Sequence, residues 1–241
     1  MWRSWALVLG AGAGTRFGGA AGGHTKVMAN VAGRPMIAWG LEAARAACDG
    51  VTLVVAPSMV DRFGAGVDVV VAGGGTRSGS VRAGLGTVPE DVDMVVCHDA
   101  ARPGASVELF DAVIAAVRGG ADGAVPVLPV SDTLKRVPEW GDSGGIVAAT
   151  VDRSRLYGVQ TPQAFRREVL VAAHRGDPEA TDDAALVEAA GGTVMAIPGE
   201  AAAHKVTKPD DLVIVEALLG GRAAGSGQRA AGSSVNWREC C

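Results

Sequence analysis

Residues 7–26 read LVLGAGAGTRFGGAAGGHTK, and the interpretation of the whole chain starts from this stretch. Leu7, Val8 and Leu9 close a short apolar run bounded by glycine, which is the pattern of a buried β-strand. Residues 10–14 then alternate glycine with alanine. A loop with so few side chains brings backbone N–H groups close to a ligand, and concavities lined by such groups bind anions. The stretch therefore predicts a strand followed by a phosphate-binding loop.

Two cationic side chains accompany this loop, Arg16 and Lys26. Two fixed positive charges beside a bare backbone favour a polyphosphate over a neutral ligand. The competing interpretation is a flexible turn in a protein that contains 35 glycines.

The spacing of the glycines separates three loop chemistries. The dinucleotide fingerprint G-x-G-x-x-G fails because Thr15 stands where the third glycine is required. The P-loop pattern fits Gly18 and Gly23, but His24 follows where lysine is required. The remaining pattern, G-x-G-x-G-T-R with a later lysine, resembles the signature of nucleotidyltransferases. These enzymes transfer a nucleoside monophosphate from a triphosphate to a phosphorylated acceptor.

Composition excludes several classes of protein. The chain has 241 residues, 48% of them hydrophobic, and no apolar run approaches the length of a membrane span. We interpret the first ten residues, MWRSWALVLG, as leading into the first strand rather than as a signal peptide. A net charge of −4 argues against a nucleic-acid partner. The four cysteines show no C-x-x-C spacing, so we expect a reduced, cytoplasmic protein.

Apolar segments with strand and helix patterns alternate along the chain, which predicts an α/β fold. Strands are predicted at residues 7–9, 51–56, 67–72, 94–97, 123–130 and 194–197, and helices at 37–44, 78–85, 107–118, 161–174, 184–190 and 209–219. A polar hairpin at about residues 134–152 falls outside the alternation and is a candidate β-arm for a dimer contact. Residues 1–220 are predicted to form one domain and residues 221–241 a disordered tail.

A second glycine cluster, GGGTR at residues 73–77, follows the third predicted strand. Ligands of open α/β sheets bind beyond the carboxyl ends of the strands, which is where this cluster falls. Ser80 would lie in the first turn of the next helix, where its hydroxyl can face a bound base or phosphate. The alternative is a serine that caps the helix.

A carboxylate follows the next strand, in DMVVCHDAAR at residues 93–102. Asp99 at the carboxyl end of that strand is well placed to hold Mg²⁺ against substrate phosphates. Its alternative role is as the N-cap of the following helix. We assign no chemical role to His98, because a lone histidine beside a strand end is more often a structural group.

Two later segments also carry charge. Lys205 lies in a loop before the final helix, from which it would reach an anionic substrate, although a solvated lysine is the ordinary alternative. Asp182 and Asp183 precede a helix, and capping accounts for them without a metal role.

Several separated stretches together resemble one family. In chain order they are the glycine loop with Arg16 and Lys26, GGGTRSGSV, HDAARP, PVSDTLKR, TVDRSRLYGVQTPQAF, TDDAALVE and KVTKPDDL. Over roughly residues 5–219 the chain is similar to the 2-C-methyl-D-erythritol 4-phosphate cytidylyltransferases of the non-mevalonate isoprenoid pathway. The resemblance implies a Rossmann-like, doubly wound, mostly parallel sheet of the nucleotide-diphospho-sugar transferase type. It also implies a β-arm that clasps a second subunit, and hence a homodimer.

The resemblance implies roles at matching positions. The backbone of Gly10, Ala11, Gly12, Ala13 and Gly14 would cradle the triphosphate of CTP, and Gly74, Gly75 and Ser80 would contact its cytosine and ribose. Arg16, Lys26 and Lys205 would be the catalytic cations, and Asp99 would bind Mg²⁺. The methylerythritol phosphate would be held by Arg102, Thr133, Arg153 and Thr161, with Thr133 and Arg153 contributed across the dimer.

The implied reaction needs no protein nucleophile. A phosphate oxygen of the acceptor attacks the α-phosphorus of CTP in line, and pyrophosphate leaves. The enzyme contributes positioning and stabilisation of the negative transition state.

Three alternatives stay open at this point. The first is a cytidylyltransferase for another polyol phosphate such as ribitol 5-phosphate, against which Thr133 and Arg153 argue. The second is a guanylyl- or sugar-nucleotide transferase that shares only the first loop. The third is a non-catalytic nucleotide-binding homologue, which would be expected to lack Arg16, Lys26 or Asp99. A dehydrogenase is disfavoured by the failed G-x-G-x-x-G match.

Overall fold

The computed structural model describes residues 2–12, 14, 17, 26–64 and 67–225, and its centre is an eight-stranded sheet. The strands are β1 (Ser4–Gly10), β2 (Asn30–Val31), β3 (Arg34–Pro35), β4 (Gly50–Val55), β5 (Val69–Ala72), β6 (Met94–Asp99), β7 (Gly123–Pro129), β8 (Leu134–Arg136), β9 (Ala149–Val151), β10 (Tyr157–Val159), β11 (Gln163–Arg166) and β12 (Val194–Pro198). The helices are α1 (Met36–Ala47), α2 (Arg77–Leu85), α3 (Val107–Arg118), α4 (Arg167–Ala173), α5 (Asp183–Ala189) and α6 (Asp211–Gly225).

The sheet has the order β10-β7-β11-β6-β1-β4-β5, and β12 also pairs with β7. The pairs β6–β1, β1–β4, β4–β5 and β7–β12 are parallel, whereas β11 and β10 pair antiparallel with their neighbours. The predicted α/β class with a mostly parallel, Rossmann-like sheet is therefore confirmed.

Helices cover both faces of the sheet because successive side chains of a strand point to opposite sides. In β1, Ala6 and Val8 belong to the apolar cluster that α1 and α3 complete, whereas Trp5 and Leu7 belong to the cluster on the other face. Phe110 of α3 is fully buried in the first cluster. Strand β6 divides its side chains in the same way, so the two central strands contribute to two cores.

The carboxyl ends of the parallel strands bring the predicted site segments together. In the register of the sheet Leu9 lies opposite Asp99, and the Gly73 N–H donates to the carbonyl of Val55 at the end of β4. A Cβ on Gly73 would lie 2.3 Å from the Cβ of Ala11. Glycine is therefore required where the second glycine cluster contacts the first loop.

One predicted helix is wrong in its first half. The structure has strand β11 at Gln163–Arg166, and helix α4 begins only at Arg167. Thr161-Pro162 resembles a helix start, because proline is favoured in the first turn. Pairing with β6 and β7 overrides that local preference, since it buries Gln163, Ala164 and Phe165 in the sheet.

The hairpin forms a small sheet of its own, in which β8 pairs antiparallel with β9. Its strands lie within the predicted segment of residues 134–152.

The final helix α6 runs to Gly225 and so takes in the first residues of the predicted tail. Alanine at positions 223 and 224 favours helix. Residues 226–241 lie outside the described part of the chain. Within the described residues, none of the helices combines the length and the apolar character that a membrane crossing requires.

Candidate active site

Asp99, the last residue of β6, lies at the centre of a cluster of charged side chains. Its Oδ2 is 2.7 Å from Nζ of Lys205, and its Oδ1 is 3.3 Å from Nε of Arg77. The Asp99 side chain is 11% exposed and that of Lys205 is 42% exposed. The strand therefore holds the carboxylate in a fixed place, while the lysine reaches it from the solvent side.

These cations control the protonation of Asp99. Burial alone would raise the pKa of Asp99, but Arg77, then Lys205 and Arg102, outweigh it and hold this pKa well below its ordinary value. The carboxylate is therefore ionised throughout the neutral pH range. It borders a cavity of about 400 Å³ that Arg102, Thr161 and Lys205 also line.

Arg77 joins Asp99 to a second buried carboxylate. Nη1 of Arg77 lies 2.8 Å from Oδ2 of Asp183, whose side chain is fully buried. Nε2 of His174 lies 3.2 Å from the other oxygen of Asp183. Burial lowers the pKa of Arg77, but Asp183 and Asp99 outweigh burial and raise this pKa above its ordinary value. The guanidinium therefore stays charged between the two carboxylates.

The hydroxyl of Thr161 supports the backbone of Asp99. The Asp99 N–H donates to Thr161 Oγ1 at 3.0 Å, and the same oxygen lies 3.2 Å from Nδ1 of His98. Burial lowers the pKa of His98 to about 4, so its ring is neutral at pH 7, and it packs 5.0 Å from the ring of Phe110. Thr161 therefore borders the cavity while its hydroxyl is bound to the strand end, and its role toward the acceptor stays a prediction.

We expect Thr161→Val to lower the free energy of unfolding by about 1–3 kcal/mol, because it leaves the buried N–H of Asp99 without an acceptor. Thr161→Ser keeps the hydroxyl and should lose clearly less. Urea unfolding at one pH measures both variants. A larger loss in Thr161→Ser than in Thr161→Val would mean that the methyl group, and not the hydrogen bond, carries the stability.

Two further predicted cations converge on the loop before α6. Nζ of Lys26 donates to the carbonyl of Val206 at 2.9 Å, next to Lys205. Nη1 of Arg102 donates to the carbonyl of Ala203 at 2.9 Å, and Arg102 borders both the cavity beside Asp99 and a neighbouring one of about 360 Å³. Residues distant in sequence thus place positive charge along one edge of the site.

The second glycine cluster forms the start of α2. The Thr76 hydroxyl, and not Ser80, caps this helix by accepting from the Gly79 N–H, while Ser80 Oγ donates to the carbonyl of Thr76 at 2.9 Å. A Cβ at Gly74 would lie 2.8 Å from the carbonyl carbon of Gly79, whereas Gly75 has open space around it. Glycine at Gly74 is thus explained by packing, and the nucleotide roles of Gly74, Gly75 and Ser80 stay predictions.

The remaining predicted residues belong to the first loop and to the hairpin. Gly10 is the last residue of β1, Gly14 has a positive φ of 61°, and Gly12 has open space around it. Thr133 and Arg153 lie at the base of the hairpin and are exposed, and Nη1 of Arg153 donates to the carbonyl of Val130 at 3.1 Å. Ala13 and Arg16 lie outside the described residues. The structure thus joins Asp99, Arg102, Thr161 and Lys205 around one cavity and leaves the arm residues apart from it.

The donor set at Asp99 fits Mg²⁺ as an ion shared with a substrate. Among the described residues, no group of three or more His, Cys, Asp or Glu side chains is arranged to hold a metal ion. Mg²⁺ is ordinarily bound by one or two carboxylates together with substrate phosphates. A single ionised carboxylate on the edge of a cavity meets that requirement.

Sequence reasoning gave no role to Arg77, and it considered Asp183 only as a cap or metal ligand. Asp182 is the residue that caps α5, by accepting from the Ala185 N–H, and Asp183 pairs with Arg77 instead. The only sequence signal was that both residues fall within stretches that resemble the family, GGGTRSGSV and TDDAALVE.

The fold and the site together define a nucleotidyltransferase-like α/β protein. The family model of 2-C-methyl-D-erythritol 4-phosphate cytidylyltransferase matches residues 5–221. The chain belongs to this family of nucleotidyltransferase enzymes, which confirms the family predicted from the sequence.

Individual relatives agree with this membership. The 2-C-methyl-D-erythritol 4-phosphate cytidylyltransferase of Frankia casuarinae is 47% identical over 220 residues, which cover 89% of this chain and 80% of the relative. That of Streptomyces avermitilis is 41% identical, with 93% and 95% covered. The crystal structure of the enzyme from Thermus thermophilus superimposes with a TM-score of 0.75 at 36% identity, covering 91% of this chain and 100% of that one.

Proposed function

We propose that this protein transfers CMP from CTP to 2-C-methyl-D-erythritol 4-phosphate, with release of pyrophosphate. The observation that carries the proposal is the ionised Asp99 at the carboxyl edge of the sheet. It lies between Lys205 and Arg77 and within reach of Arg102, in a chain whose family is named for this reaction. One carboxylate among several cations suits two phosphorylated substrates that meet at one point.

The chain's own groups orient and stabilise rather than react covalently. The acceptor's phosphate oxygen forms a bond to the α-phosphorus of CTP, and the bond from that phosphorus to the pyrophosphate oxygen breaks. Lys26, which donates to the carbonyl of Val206, and Lys205, which pairs with Asp99, would stabilise negative charge on the phosphates. Arg16 would add a third positive charge. Holding both substrates in line supplies much of the acceleration.

Asp99 would hold Mg²⁺. When bound, the ion neutralises charge on the triphosphate and orients it for in-line displacement. The backbone of residues 10–14 and of Gly74 and Gly75 would hold CTP, and Ser80 would face its base. These assignments follow the family resemblance and the common edge of the sheet.

The acceptor would occupy the cavities that Arg102 borders. Arg102 and Lys205 line both of them, so an acceptor phosphate in either place meets two cations. Thr161 lines the cavity beside Asp99. Thr133 and Arg153 are exposed at the base of the arm, which suits a role in the acceptor site of a second subunit.

The arm itself is proposed to hold that second subunit. Between and beside its strands, Trp140 is 78% exposed and Ile146 is 89% exposed. Tyr157 and Val159 on β10, the edge strand that begins the sheet order, are also exposed. Large apolar side chains concentrated on one protruding element mark an association surface, and a second copy of the chain supplies a matching surface through two-fold symmetry.

Replacing Trp140 and Ile146 together by serine is expected to convert a dimer into a monomer, because it removes the two most exposed large apolar side chains of the arm. Light scattering of the purified protein measures the molar mass of the assembly in solution. The matched control is Val213→Ser with Ile214→Ser, a second exposed apolar pair on α6. A mass that falls in the control and not in the arm variant would place the interface on α6 instead.

Pyrophosphate release tests the proposed reaction. The protein is supplied with CTP and Mg²⁺, and methylerythritol phosphate, ribitol 5-phosphate and no acceptor are compared. Of these three conditions, only the one with methylerythritol phosphate is expected to release pyrophosphate. Release with ribitol 5-phosphate alone would keep the chemistry and change the substrate. Binding of CTP without release under any of these conditions would indicate a non-catalytic homologue.

A further inference from the structure

A row of alternating charges continues from the site into the core of the protein. It runs from Lys205 through Asp99 and Arg77 to Asp183, with His174 at its inner end. The proposed reaction uses Lys205 and Asp99. It gives no task to Arg77 and Asp183, although the latter is a fully buried carboxylate. A buried charge persists in a fold only when it is compensated, so this pair calls for an explanation.

Helix capping does not account for Asp183. It is the first residue of α5, but the side chain of Asp182 already accepts the hydrogen bond from the Ala185 N–H. Asp183 instead lies closer to the guanidinium than Asp99 does, at 2.8 Å against 3.3 Å. The tight pair is therefore Arg77 with Asp183, and Asp99 is a second and looser partner of the same arginine.

We propose that Arg77 and Asp183 are positioning residues for the metal ligand Asp99, and that they act as a charge-balanced pair. Nε of Arg77 fixes the orientation of the Asp99 carboxylate, while Asp183 neutralises the positive charge that this contact brings. This inference rests on the proposed function, in which Asp99 binds Mg²⁺.

The balance matters because an uncompensated arginine beside Asp99 would repel a dication and compete with it for the carboxylate. A compensated arginine supplies a directed N–H donor without that penalty. Ligand carboxylates in metal sites ordinarily have such supporting hydrogen bonds, and removing one typically costs about 10–100-fold in metal affinity or activity. The fork geometry of arginine lets it serve two carboxylates at once, which a lysine ammonium on a flexible stem does less well.

Mn²⁺ binding, followed by electron paramagnetic resonance, tests the pair without requiring turnover. The full chain is mixed with the unreactive analogue α,β-methylene-CTP, and Mn²⁺ is titrated, with the analogue alone as baseline. Arg77→Lys keeps the charge but loses the fork, and we expect about tenfold weaker Mn²⁺ binding. Asp183→Asn leaves Arg77 uncompensated, and we expect a weakening of at least the same size.

The double variant Arg77→Met with Asp183→Asn separates charge balance from a structural role. It carries no uncompensated arginine, so we expect it to recover affinity relative to Asp183→Asn alone and to approach Arg77→Lys. Arg82→Met is the matched control, because Arg82 lies on the same helix and also pairs with two carboxylates, Asp177 and Glu179, without contacting Asp99. Its Mn²⁺ affinity should equal that of the unmodified protein.

Two results would overturn the inference. One is that Arg77→Lys and the charge-balanced double variant both bind Mn²⁺ as tightly as the unmodified protein does, whatever their stability in urea. The other is a double variant that binds more weakly than Asp183→Asn. Asp99→Asn in the same titration distinguishes a failure of the Arg77–Asp183 inference from a failure of the proposed metal site. If Asp99→Asn binds Mn²⁺ like the unmodified protein, the metal site itself is wrong.

Discussion

Asp99→Asn is expected to lower the rate of CMP transfer by about 10²–10³, the size of effect seen when one preorganised charge-stabilising group is lost. The substitution keeps the shape of the side chain and removes its charge. Asparagine leaves a neutral oxygen where the dication and the two cations of the site require a carboxylate. The rate is measured as pyrophosphate release at saturating CTP and acceptor, over a range of Mg²⁺ concentrations.

The fold should survive this change. Arg77 keeps Asp183 as its closer partner, and Lys205 is exposed enough to remain hydrated. The matched control is Asp93→Asn, immediately before the opposite end of the same strand, where the exposed carboxylate accepts from the Arg3 N–H. It should lose little activity. An Asp99→Asn enzyme that stays within about threefold of the unmodified rate, far short of the loss of a charge-stabilising group, would remove Asp99 from the reaction.

Lys205→Met is expected to lower the same rate by about 10²–10³, because it removes a cation that lies beside both Asp99 and the cavity. Methionine keeps most of the apolar stem, so packing changes little. If Lys205 stabilises the transition state, kcat should fall more than the KM for CTP rises. Steady-state kinetics in both substrates separate the two effects.

Lys208→Met is the control for Lys205, since it makes the same change three residues later on an exposed lysine. Its kinetics should match those of the unmodified protein. If Lys205→Met raises KM alone, the lysine contributes to ground-state binding only. If both lysine variants lose the same activity, the effect comes from the charge of the whole loop.

Much of the fold could be predicted because apolar periodicity and burial agree. Ala6 and Val8 alternate with Trp5 and Leu7 in β1, and both sets are buried, as two covered faces require. The helix at Val107–Arg118 has the predicted bounds because Ser106 caps its start. Strand β11 was mistaken for helix because its local signals, a proline and a short segment, are outweighed by pairing with strands distant in sequence.

The candidate site, like the fold, could be predicted only in part from the sequence. Asp99 could be proposed from the sequence because a carboxylate at the end of a buried strand is visible there, and its metal role stays a prediction. The pairing of Arg77 with Asp183 was not, because it depends on two elements, α2 and α5, that meet only in the folded chain. The role of Thr161 was also incomplete, since a backbone N–H that needs an acceptor leaves no mark in a sequence.

Phosphorus-31 NMR of the complete reaction tests the central claim most directly, because it shows which phosphorus atoms become joined. The protein is incubated with CTP, Mg²⁺ and 2-C-methyl-D-erythritol 4-phosphate. We predict that the acceptor's phosphate resonance is replaced by two coupled resonances of a new diphosphate, with pyrophosphate formed in equal amount. An unchanged acceptor resonance beside CMP and pyrophosphate, or the appearance of CDP and orthophosphate, would contradict transfer of CMP to this acceptor.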